Sequence, residues 1–267
     1  MTTLSDDTAA PAVLVTRPSG QADALGSQLV AAGFTPVFAP LLSIEPFPEL
    51  APEQQQLLRS LPGVQHLIFV SQNAIRCGMD WIDRMYPEPP PGLAWYTVGA
   101  ASAEALSRRG VHAQTPATEM TSEGLLALPA LQAVHGERVV IVKGEGGRAH
   151  LKHSLQARGA QVDDFVVYRR GCPAYAPGEL EAIISAGGVE YILISSGEGL
   201  DNMVSLLEPS AVTALTECKV VVPGERVAAQ AQEAGFRQIV VARNATDDAM
   251  LAALQRDRRG TTPAPGH

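Results

Sequence analysis

A tyrosine and two arginines follow an apolar run near the middle of the chain. The stretch DDFVVYRRG spans residues 163–171 and places Tyr168, Arg169 and Arg170 directly after a run of Phe and Val. A phenol can donate a proton or a hydrogen bond at neutral pH, because its ordinary pKa is about 10. Guanidinium groups bind carboxylates and phosphates through charge-assisted hydrogen bonds. The stretch therefore indicates mild acid–base chemistry beside an anionic ligand, although a strand end that reaches solvent would have the same composition.

Small and polar residues also follow the other apolar runs of the chain. Ligands of open α/β sheets bind beyond the carboxyl ends of the strands, and the free N–H groups of helices that begin there favour anions. Each such residue alone is typical of ordinary helix capping. The repetition of these turns, several of them with arginine, favours a cleft for a ligand with many negative groups. The residues predicted to bind it are Arg17, Ser71, Gln72, Asn73, Gly99, Ser102, Lys143, Gly144, Arg148, Arg169, Ser195, Ser196, Gly197 and Arg226.

The chain contains weak matches to other kinds of site. The stretch GEGGRA (144–149) follows a predicted strand and resembles the G-x-G-x-x-A fingerprint of dinucleotide-binding proteins. The acidic residue expected at the end of the next strand is missing, because Asp163 and Asp164 precede that predicted strand. His150 and His153 are too few to bind a metal and are typical of a solvated helix face. A nucleotide-dependent α/β enzyme stays open as an alternative, and a thermal shift with NAD or ATP would test it.

Short β-branched runs alternate with stretches rich in alanine and leucine along most of the chain. Such runs are typical of strands buried on both faces, and the helical stretches between them end at glycines such as Gly33 and Gly110. This alternation predicts parallel sheets with helices on both faces. The predicted strands are AVLVT, HLIFV, AWYTV, RVVIV, FVVY, YILIS, KVVVP and QIVVA.

The pattern occurs twice in the chain. VQHLIFVSQNAI from Val64 aligns with VEYILISSGEGL from Val189, an offset of 125 residues. The same offset places Gly99 over Gly224, and one residue of slippage aligns VLVTRPSGQADALGSQLVAAG with VVIVKGEGGRAHLKHSLQARG. This period far exceeds the roughly 20–50 residues of solenoid repeats. We therefore predict two similar α/β domains, each with a parallel sheet.

Two proline-rich segments cut the chain into three pieces. Residues 39–53 and 168–179 are typical of extended linkers. If the first piece pairs with the last, the chain crosses between the domains twice, which forms a two-stranded linker and a hinge with a cleft between the domains. The predicted boundaries are 11–40 plus 174–256 for the first domain and 50–167 for the second, with loose tails at 1–10 and 257–267.

The composition narrows the classes of protein to which the chain can belong. It has 267 residues, of which 46% are hydrophobic and 5% aromatic, and a net charge of -8. Nucleic-acid binding usually needs a basic face and stacking side chains, which argues against it here. No apolar run approaches the length of a membrane span, and the N-terminus lacks the pattern of a signal peptide. With three scattered cysteines and no exposed apolar stripe, we expect a cytoplasmic monomer with free thiols.

Seven stretches, taken together and in order, resemble the uroporphyrinogen-III synthase family. They are VLVTRP, LIFVSQNAI, VGAASAEAL, VVIVKGEGGRAHL, VVYRR, YILISSGEGL and VVPGERVAA, and the resemblance covers residues 12–256. It implies two α/β domains joined by a two-stranded connection, with the first and last segments in one domain. It also implies a lyase of porphyrin and heme biosynthesis that needs no cofactor or metal. Such an enzyme closes the linear tetrapyrrole hydroxymethylbilane, inverts ring D and releases water, which gives uroporphyrinogen III.

The resemblance implies roles for individual residues. Tyr168 corresponds to the tyrosine proposed to assist loss of the terminal hydroxyl as water, which yields an azafulvene that goes on to form a spiro intermediate. The substrate carries four acetate and four propionate groups, and helix N-termini together with arginines would hold these carboxylates. The arginines are Arg17, Arg148, Arg169 and Arg226.

The chain departs from some relatives at two turns. Glu225 and Arg226 stand where those relatives have a threonine, so Arg226 would replace a hydroxyl contact, whereas Ser102 keeps a hydroxyl where they also have a threonine. A two-domain binding protein for a small polyanion stays open as an alternative to an enzyme, and it would leave hydroxymethylbilane unchanged. A transient contact with the upstream bilane-producing deaminase also stays open.

Overall fold

The structure, a computed structural model, describes residues 10–117, 120–147, 149–208, 215 and 218–261. Contacts within the chain divide it into two compact units. Unit 1 combines Met1–Ser43 with Gly171–His267, and unit 2 is Ile44–Arg170. The chain therefore passes from one unit to the other twice, and both crossings lie inside the two proline-rich segments.

Strands and helices alternate along the described residues. In chain order the elements are β1 (Ala12–Val15), α1 (Asp23–Ala31), β2 (Thr35–Phe38), β3 (Ser43–Pro46), α2 (Pro52–Arg59), a 3-10 turn (Leu61–Gly63), β4 (His66–Phe69), α3 (Gln72–Met85), β5 (Ala94–Thr97), α4 (Ala100–Ser107), α5 (Ser122–Leu126), α6 (Pro129–Gln132), β6 (Arg138–Gly144), α7 (His150–Ala157), β7 (Gln161–Gly171), α8 (Glu179–Ala186), β8 (Val189–Leu193), α9 (Gly197–Leu206), β9 (Lys219–Val222), α10 (Glu225–Glu233), β10 (Gln238–Val241) and α11 (Asp247–Thr261).

Each unit contains a sheet of five strands. The order is β10-β9-β8-β1-β2 in unit 1 and β3-β7-β6-β4-β5 in unit 2. The pairs that β1 forms with β2 and β8, and that β9 forms with β8 and β10, are parallel, as are the pairs β4–β5, β4–β6 and β6–β7. The predicted α/β class with parallel sheets is thus confirmed. Four strands occupy the same relative places in the two sheets: β9, β8, β1 and β2 of unit 1 correspond to β5, β4, β6 and β7 of unit 2. This is the correspondence expected from the sequence repeat.

Apolar side chains cover both faces of each sheet. In β4, Leu67 and Phe69 pack into one buried cluster with residues of α3, whereas Ile68 packs into a second cluster on the opposite face with Leu125 of α5. β1 of unit 1 divides in the same way, with Leu14 on one face and Val13 and Val15 on the other. Burial on both faces explains why these strands lack polar alternation and were recognisable as continuous apolar runs.

Two strands lie outside the predicted set. β2 and β3 each contain a proline, Pro36 and Pro46, and each forms one edge of its sheet. Proline cannot donate to a neighbouring strand, and edge positions tolerate it for that reason. The prolines that suggested a linker between residues 39 and 53 are thus compatible with the edge strand β3.

The C-terminal tail predicted from residue 257 begins too early, because α11 continues to Thr261. Asp257 explains the difference, since its Oδ2 accepts hydrogen bonds from Tyr191 Oη at 2.9 Å and from Lys219 Nζ at 2.7 Å. Burial, followed by the bond to Asp257, raises the pKa of Tyr191, so the phenol keeps its proton and donates. Arg258 lies 5.2 Å from the centre of the Phe34 ring. These contacts attach the last helix to the sheet of unit 1.

We expect Asp257→Ala to lower the free energy of unfolding of unit 1 by about 1–3 kcal/mol, because Tyr191 and Lys219 would lose a shared acceptor. Urea unfolding of the purified chain measures the change. Glu233→Ala removes the same charge from an exposed position of α10 and should leave the midpoint unchanged. Equal shifts for the two variants would contradict this role of Asp257.

Candidate functional site

The phenol of Tyr168 lies at the carboxyl-terminal edge of the unit 2 sheet. β7 extends four residues beyond Val167, so Tyr168 continues the strand instead of starting a linker. Its side chain is buried, with 6% of its surface exposed, and it packs into the apolar cluster that includes Phe69 and Phe165. β7 also begins earlier than predicted, because Asp163 and Asp164 pair with Val140 and Ile141 of β6 and lie inside the strand.

Gly144 makes room for the Tyr168 ring. The two residues are partners across β6 and β7, next to a register irregularity between Lys143 and Gly144. A Cβ at position 144 would lie 2.6 Å from both Cε2 and Cζ of the ring, which is closer than carbon atoms can pack. The backbone N–H of Glu145 donates to the carbonyl of Tyr168 at 2.9 Å. The missing side chain of Gly144 therefore determines where the phenol can lie.

Ser71 connects this phenol to the start of α3. As the N-cap of α3, Ser71 Oγ accepts a hydrogen bond from the backbone N–H of Ala74 at 3.1 Å. The same oxygen lies 3.3 Å from Tyr168 Oη. Because Ala74 uses an acceptor position of Oγ, the hydroxyl proton of Ser71 can point to Tyr168. Gln72 and Asn73 follow in the first turn of α3, so the predicted group 71–73 lies at this edge.

The start of α4 lies at the end of the neighbouring strand β5. Gly99 is the N-cap of α4, with extended backbone and no side chain. Ser102 is 8% exposed and lies in the first turn, where its backbone N–H donates to the carbonyl of Gly99 at 3.0 Å. The side chain of Met120 is 54% exposed and lies 3.9 Å from the position of a Cβ at Gly99. This corner combines backbone donors with an accessible apolar side chain.

A pocket of about 160 Å³ lies beyond the end of β6, next to Tyr168. The turn Gly144–Gly147 forms one wall, and Gly146 and Gly147 have positive φ angles of 65° and 81° that favour glycine. Cationic side chains from three elements line it: Lys143 from β6, Lys152 from α7 and Arg170 from β7. The carboxylates of Glu145 and Asp164 line it as well, so the pocket joins the phenol to a group of mixed charges in which three are positive.

Lys152 and Asp164 are two charged members of this pocket that are absent from the predicted set of site residues. Asp164 Oδ2 lies 3.9 Å from Lys143 Nζ and 3.3 Å from Lys152 Nζ. Lys152 belongs to HLKH, a stretch typical of a solvated helix face, and nothing in its spacing indicates a partner on β7. Only the pairing of β6 with β7 brings Asp164 to these lysines.

Arg169 points to a carboxylate of its own unit. Its Nε donates to Glu45 Oε2 of β3 at 2.7 Å, and more than half of its side chain is exposed. This hydrogen bond to Glu45 is the main cause of the raised pKa of Arg169. Arg169 and Tyr168 are adjacent in sequence and point to different partners, so Arg169 is an ion-pair partner at the sheet edge.

The corresponding edge of unit 1 collects the other predicted residues. Ser196 is the N-cap of α9 and accepts from the backbone N–H of Gly199 at 3.1 Å, which repeats the geometry of Ser71 at an offset of 125 residues. Ser195 precedes it, and Gly197 is buried against α10. Arg226 extends from the first turn of α10, with one terminal nitrogen 3.4 Å from the position of a Cβ at Gly197.

Arg17 is engaged inside unit 1. One terminal nitrogen contacts Asp247 Oδ1 and the carbonyl oxygen of Ala245, both at 2.6 Å. The guanidinium thus connects the end of β1 to the start of α11, and only about a quarter of its side chain is exposed. The sequence suggested a cation for a ligand, whereas these contacts also serve the packing of α11. Arg148, another predicted residue, lies outside the described residues.

A polar group at the opposite end of β4 has a different character. His66 Nδ1 lies 3.1 Å from Tyr96 Oη, and His66 Nε2 lies 2.6 Å from Glu137 Oε2. Burial, and then the negative charge of Glu137, raises the pKa of Tyr96, so the phenol stays protonated and can donate to the imidazole. His66 and Glu137 lie at the amino-terminal ends of β4 and β6, away from the strand ends where ligands bind, and Tyr96 reaches His66 from β5. We interpret them as an internally satisfied support of the sheet.

Metal sites and membrane-spanning helices each have a typical arrangement of residues. Within the described parts of the chain, no group of three or more His, Cys, Asp or Glu side chains is arranged to hold a metal ion. Of the described helices, none combines the length and apolar character needed to cross a membrane. The candidate site described above consists of the phenol, hydroxyls, helix N-termini and cations.

Known proteins resemble the chain over most of its length. A family model described as "Uroporphyrinogen-III synthase HemD" matches residues 23–252. The uroporphyrinogen-III synthase of Escherichia coli K12 is 35% identical over 250 residues, which cover 91% of this chain and 99% of that protein.

Solved structures agree at the level of the fold. Uroporphyrinogen-III synthetase from Helicobacter pylori has a TM-score of 0.60 and 15% identity, and the alignment covers 93% of this chain and 99% of that chain. A mutant uroporphyrinogen III synthase from the extremely thermophilic bacterium Thermus thermophilus has a TM-score of 0.58 and 21% identity, covering 94% of this chain and all of that chain. At such identities the likeness concerns the α/β fold alone.

We expect Gly144→Ala to displace the Tyr168 ring and to lower the free energy of unfolding by about 1–3 kcal/mol, because the added methyl group would overlap the ring. A crystal structure of the variant and its urea unfolding curve measure these two effects. Gly99→Ala is the matched control, since the nearest described atoms to its Cβ belong to Met120 and lie 3.9 Å away, an ordinary van der Waals distance. If Gly144→Ala unfolds like Gly99→Ala and leaves the ring in place, the contact with Gly144 does not position Tyr168.

Proposed function

We propose that this chain, which belongs to the uroporphyrinogen-III synthase family, closes hydroxymethylbilane to uroporphyrinogen III. In this reaction the terminal hydroxyl of the linear tetrapyrrole leaves as water, ring D is inverted, and the macrocycle closes. The observation in the structure that carries the proposal is the phenol of Tyr168, held against Gly144 and Ser71 at the ligand-binding edge of a parallel sheet.

Tyr168 is the proposed catalytic residue. Its phenol donates a proton, or a strong hydrogen bond, to the terminal hydroxyl of the substrate, and the C–O bond breaks with its electron pair leaving in water. The electron-rich pyrrole supplies the electrons that replace this bond, which gives the N-protonated azafulvene beside the phenolate. Loss of the pyrrole N–H proton then gives the neutral azafulvene, and the phenolate regains a proton. The leaving group is already activated by the pyrrole, so one well-placed donor can lower the barrier sufficiently.

Ser71 is proposed to position the Tyr168 proton. Ser71 Oγ accepts from Ala74 and can donate its own proton to Tyr168 Oη. In this arrangement the phenol oxygen accepts from Ser71, and its O–H is directed to the substrate. Ser71 then acts through Tyr168 and not on the reacting atoms.

The remaining predicted residues would hold the carboxylates of the substrate. In unit 2 these are the N-termini of α3 and α4 with Lys143 and Gly144, and in unit 1 the N-terminus of α9 with Arg226. Each helix start offers N–H groups and the positive end of a helix dipole. Arg17 and Arg169 would also bind carboxylates of the substrate, and each would keep its ion pair, with Asp247 and Glu45 respectively. Arg148 belongs to the same proposal.

We further propose that the substrate binds in a cleft between the two units. Support comes from the repeat, which gives each unit a strand-end edge with a serine N-cap, Ser71 in one and Ser196 in the other. The two crossings of the chain would serve as the two-stranded linker, and a hinge there would allow the units to close over a flexible substrate. Holding ring D folded would favour inversion over direct closure of the chain to the type I isomer.

The function is tested by supplying fresh hydroxymethylbilane at neutral pH, oxidising the products and separating type I from type III uroporphyrin by chromatography. A large excess of type III over the enzyme-free control is the expected result. Formation of type I alone would leave the fold correct and the proposed activity wrong, and would favour a polyanion-binding protein.

We expect Tyr168→Phe to lower kcat for type III formation by about a hundredfold without abolishing it, because proton donation is lost while binding is kept. Tyr86→Phe is the control in the same unit, since Tyr86 Oη donates to the carbonyls of Leu58 and Arg59, both at 3.0 Å, and does not contact the site. Full activity of Tyr168→Phe would rule out the catalytic role.

We expect Ser71→Ala to lower kcat by about threefold to tenfold with a small change in KM, because one hydrogen bond orients the phenol. Ser71→Thr keeps the hydroxyl and should restore most of the rate. Ser196→Ala loses the equivalent cap, so both alanine variants should lose about 1 kcal/mol of stability, but Ser196→Ala should affect KM and not kcat. Equal losses of kcat in the two variants would show that capping, and not the contact with Tyr168, accounts for the effect.

A further inference from the structure

The pocket beside Tyr168 contains a charge cluster built from three elements of unit 2. Both ammonium groups, of Lys143 and Lys152, contact the same oxygen, Asp164 Oδ2. The other oxygen, Asp164 Oδ1, is buried and has no hydrogen-bond partner among the described residues. One carboxylate thus faces two ammonium groups, and half of its hydrogen-bonding capacity is unused.

The position of Lys152 is unfavourable for the helix that carries it. Lys152 lies in the first turn of α7, which holds no acidic residue. The positive end of the helix dipole opposes a cation there. Lys152 therefore adds its charge to a helix terminus that already attracts anions. Since about a third of its side chain is exposed, the ammonium group remains accessible from the pocket.

We propose that Lys143 and Lys152 form a subsite for one carboxylate arm of the substrate, and that Asp164 limits the positive charge of this subsite. The inference rests on the proposed function, because the pocket shares Tyr168 with the catalytic site. The sequence already predicts Lys143 as a residue that binds the substrate. Lys152 is the additional residue that contacts the carboxylate arm. Asp164 neutralises part of the pair while the pocket is empty and repels the carboxylate once it is bound.

The role of Asp164 follows from the chemistry of the product. Ring closure removes water from the substrate and leaves all its carboxylates in place, so a pocket that attracts the substrate through charge also retains the product. A subsite with two uncompensated lysines would bind both species tightly and would release the product slowly. An acidic residue between the lysines weakens both complexes and allows turnover.

Substitutions of Lys152 and Asp164 are expected to change the affinity for substrate and product in opposite directions. Lys152→Gln should raise KM for hydroxymethylbilane, and the dissociation constant of uroporphyrin III, by about tenfold. Asp164→Asn should lower both constants by about threefold and should lower kcat, because product release becomes slower. General damage to the fold would weaken binding in both variants and would not separate their signs.

Binding is measured by fluorescence titration with uroporphyrin III, the oxidised and stable octacarboxylate, and turnover by the type III assay. Arg108→Gln is the matched control, because Arg108 is an exposed cation at the C-cap of α4 and pairs with Glu104 of that helix. It removes the same charge from the chain without touching the pocket. Lys152→Arg keeps the charge and should bind uroporphyrin III within about twofold of the parent chain.

The subsite is overturned if Lys152→Gln binds uroporphyrin III as Arg108→Gln does, or if Asp164→Asn binds it more weakly than the parent chain. Neither result affects the proposed function as long as the parent chain makes type III product. Conversely, a parent chain that makes only type I product removes the proposed function, whatever the titrations show.

Discussion

The common direction of the five strands in unit 1, and of β4, β5, β6 and β7 in unit 2, determines where this chain can hold a ligand. Because the strands that surround β1 and β4 run parallel, their carboxyl ends meet at one edge, and the helices that follow begin there. Each helix start presents N–H groups that its own helix leaves unpaired. Ser71 and Ser196 satisfy one N–H each at the two equivalent edges. The remaining donors and the cations nearby form surfaces that favour anions, so the duplication of the fold also duplicates the basis of a carboxylate-binding site.

The two copies differ in the length of one strand and in what that strand carries. β2 and β7 occupy equivalent places in their sheets, but β2 ends after four residues at Phe38, whereas β7 has eleven residues and continues through Tyr168. The longer strand carries the phenol to the carboxyl-terminal edge of the sheet, and Gly144 on the neighbouring strand leaves space for its ring. The helix cap Ser71 is then close enough to orient the hydroxyl. Among the described residues, the capping serine common to both copies thus has a second partner in unit 2, where Ser71 contacts Tyr168.

Strong local signals explain what the sequence could predict. The eight predicted strands are buried on both faces or lie beside such strands, so their apolar runs were continuous, and the turns after them were recognisable from serine, glycine and arginine. The edge strands β2 and β3 lacked this signal because of Pro36 and Pro46. The end of α11 depends on Asp257, whose partners Tyr191 and Lys219 are distant in sequence. The pairing of Lys152 with Asp164 likewise depends on tertiary contact, which spacing along the chain does not reveal.

The pairing of charges reconciles an acidic chain with an anionic substrate. The net charge is -8, yet Arg17, Lys152 and Arg169 each lie near the edge where a strand ends. Each of them contacts a carboxylate of its own unit, Asp247, Asp164 and Glu45 respectively. A cluster of cations without carboxylate partners would bind both substrate and product strongly. A cation that already contacts a carboxylate of the protein binds the ligand more weakly, because its charge is shared between the two. Under the proposed function, affinity would be divided among many weak contacts, and the preference between substrate and product would rest on the geometry around Tyr168, where the two species differ.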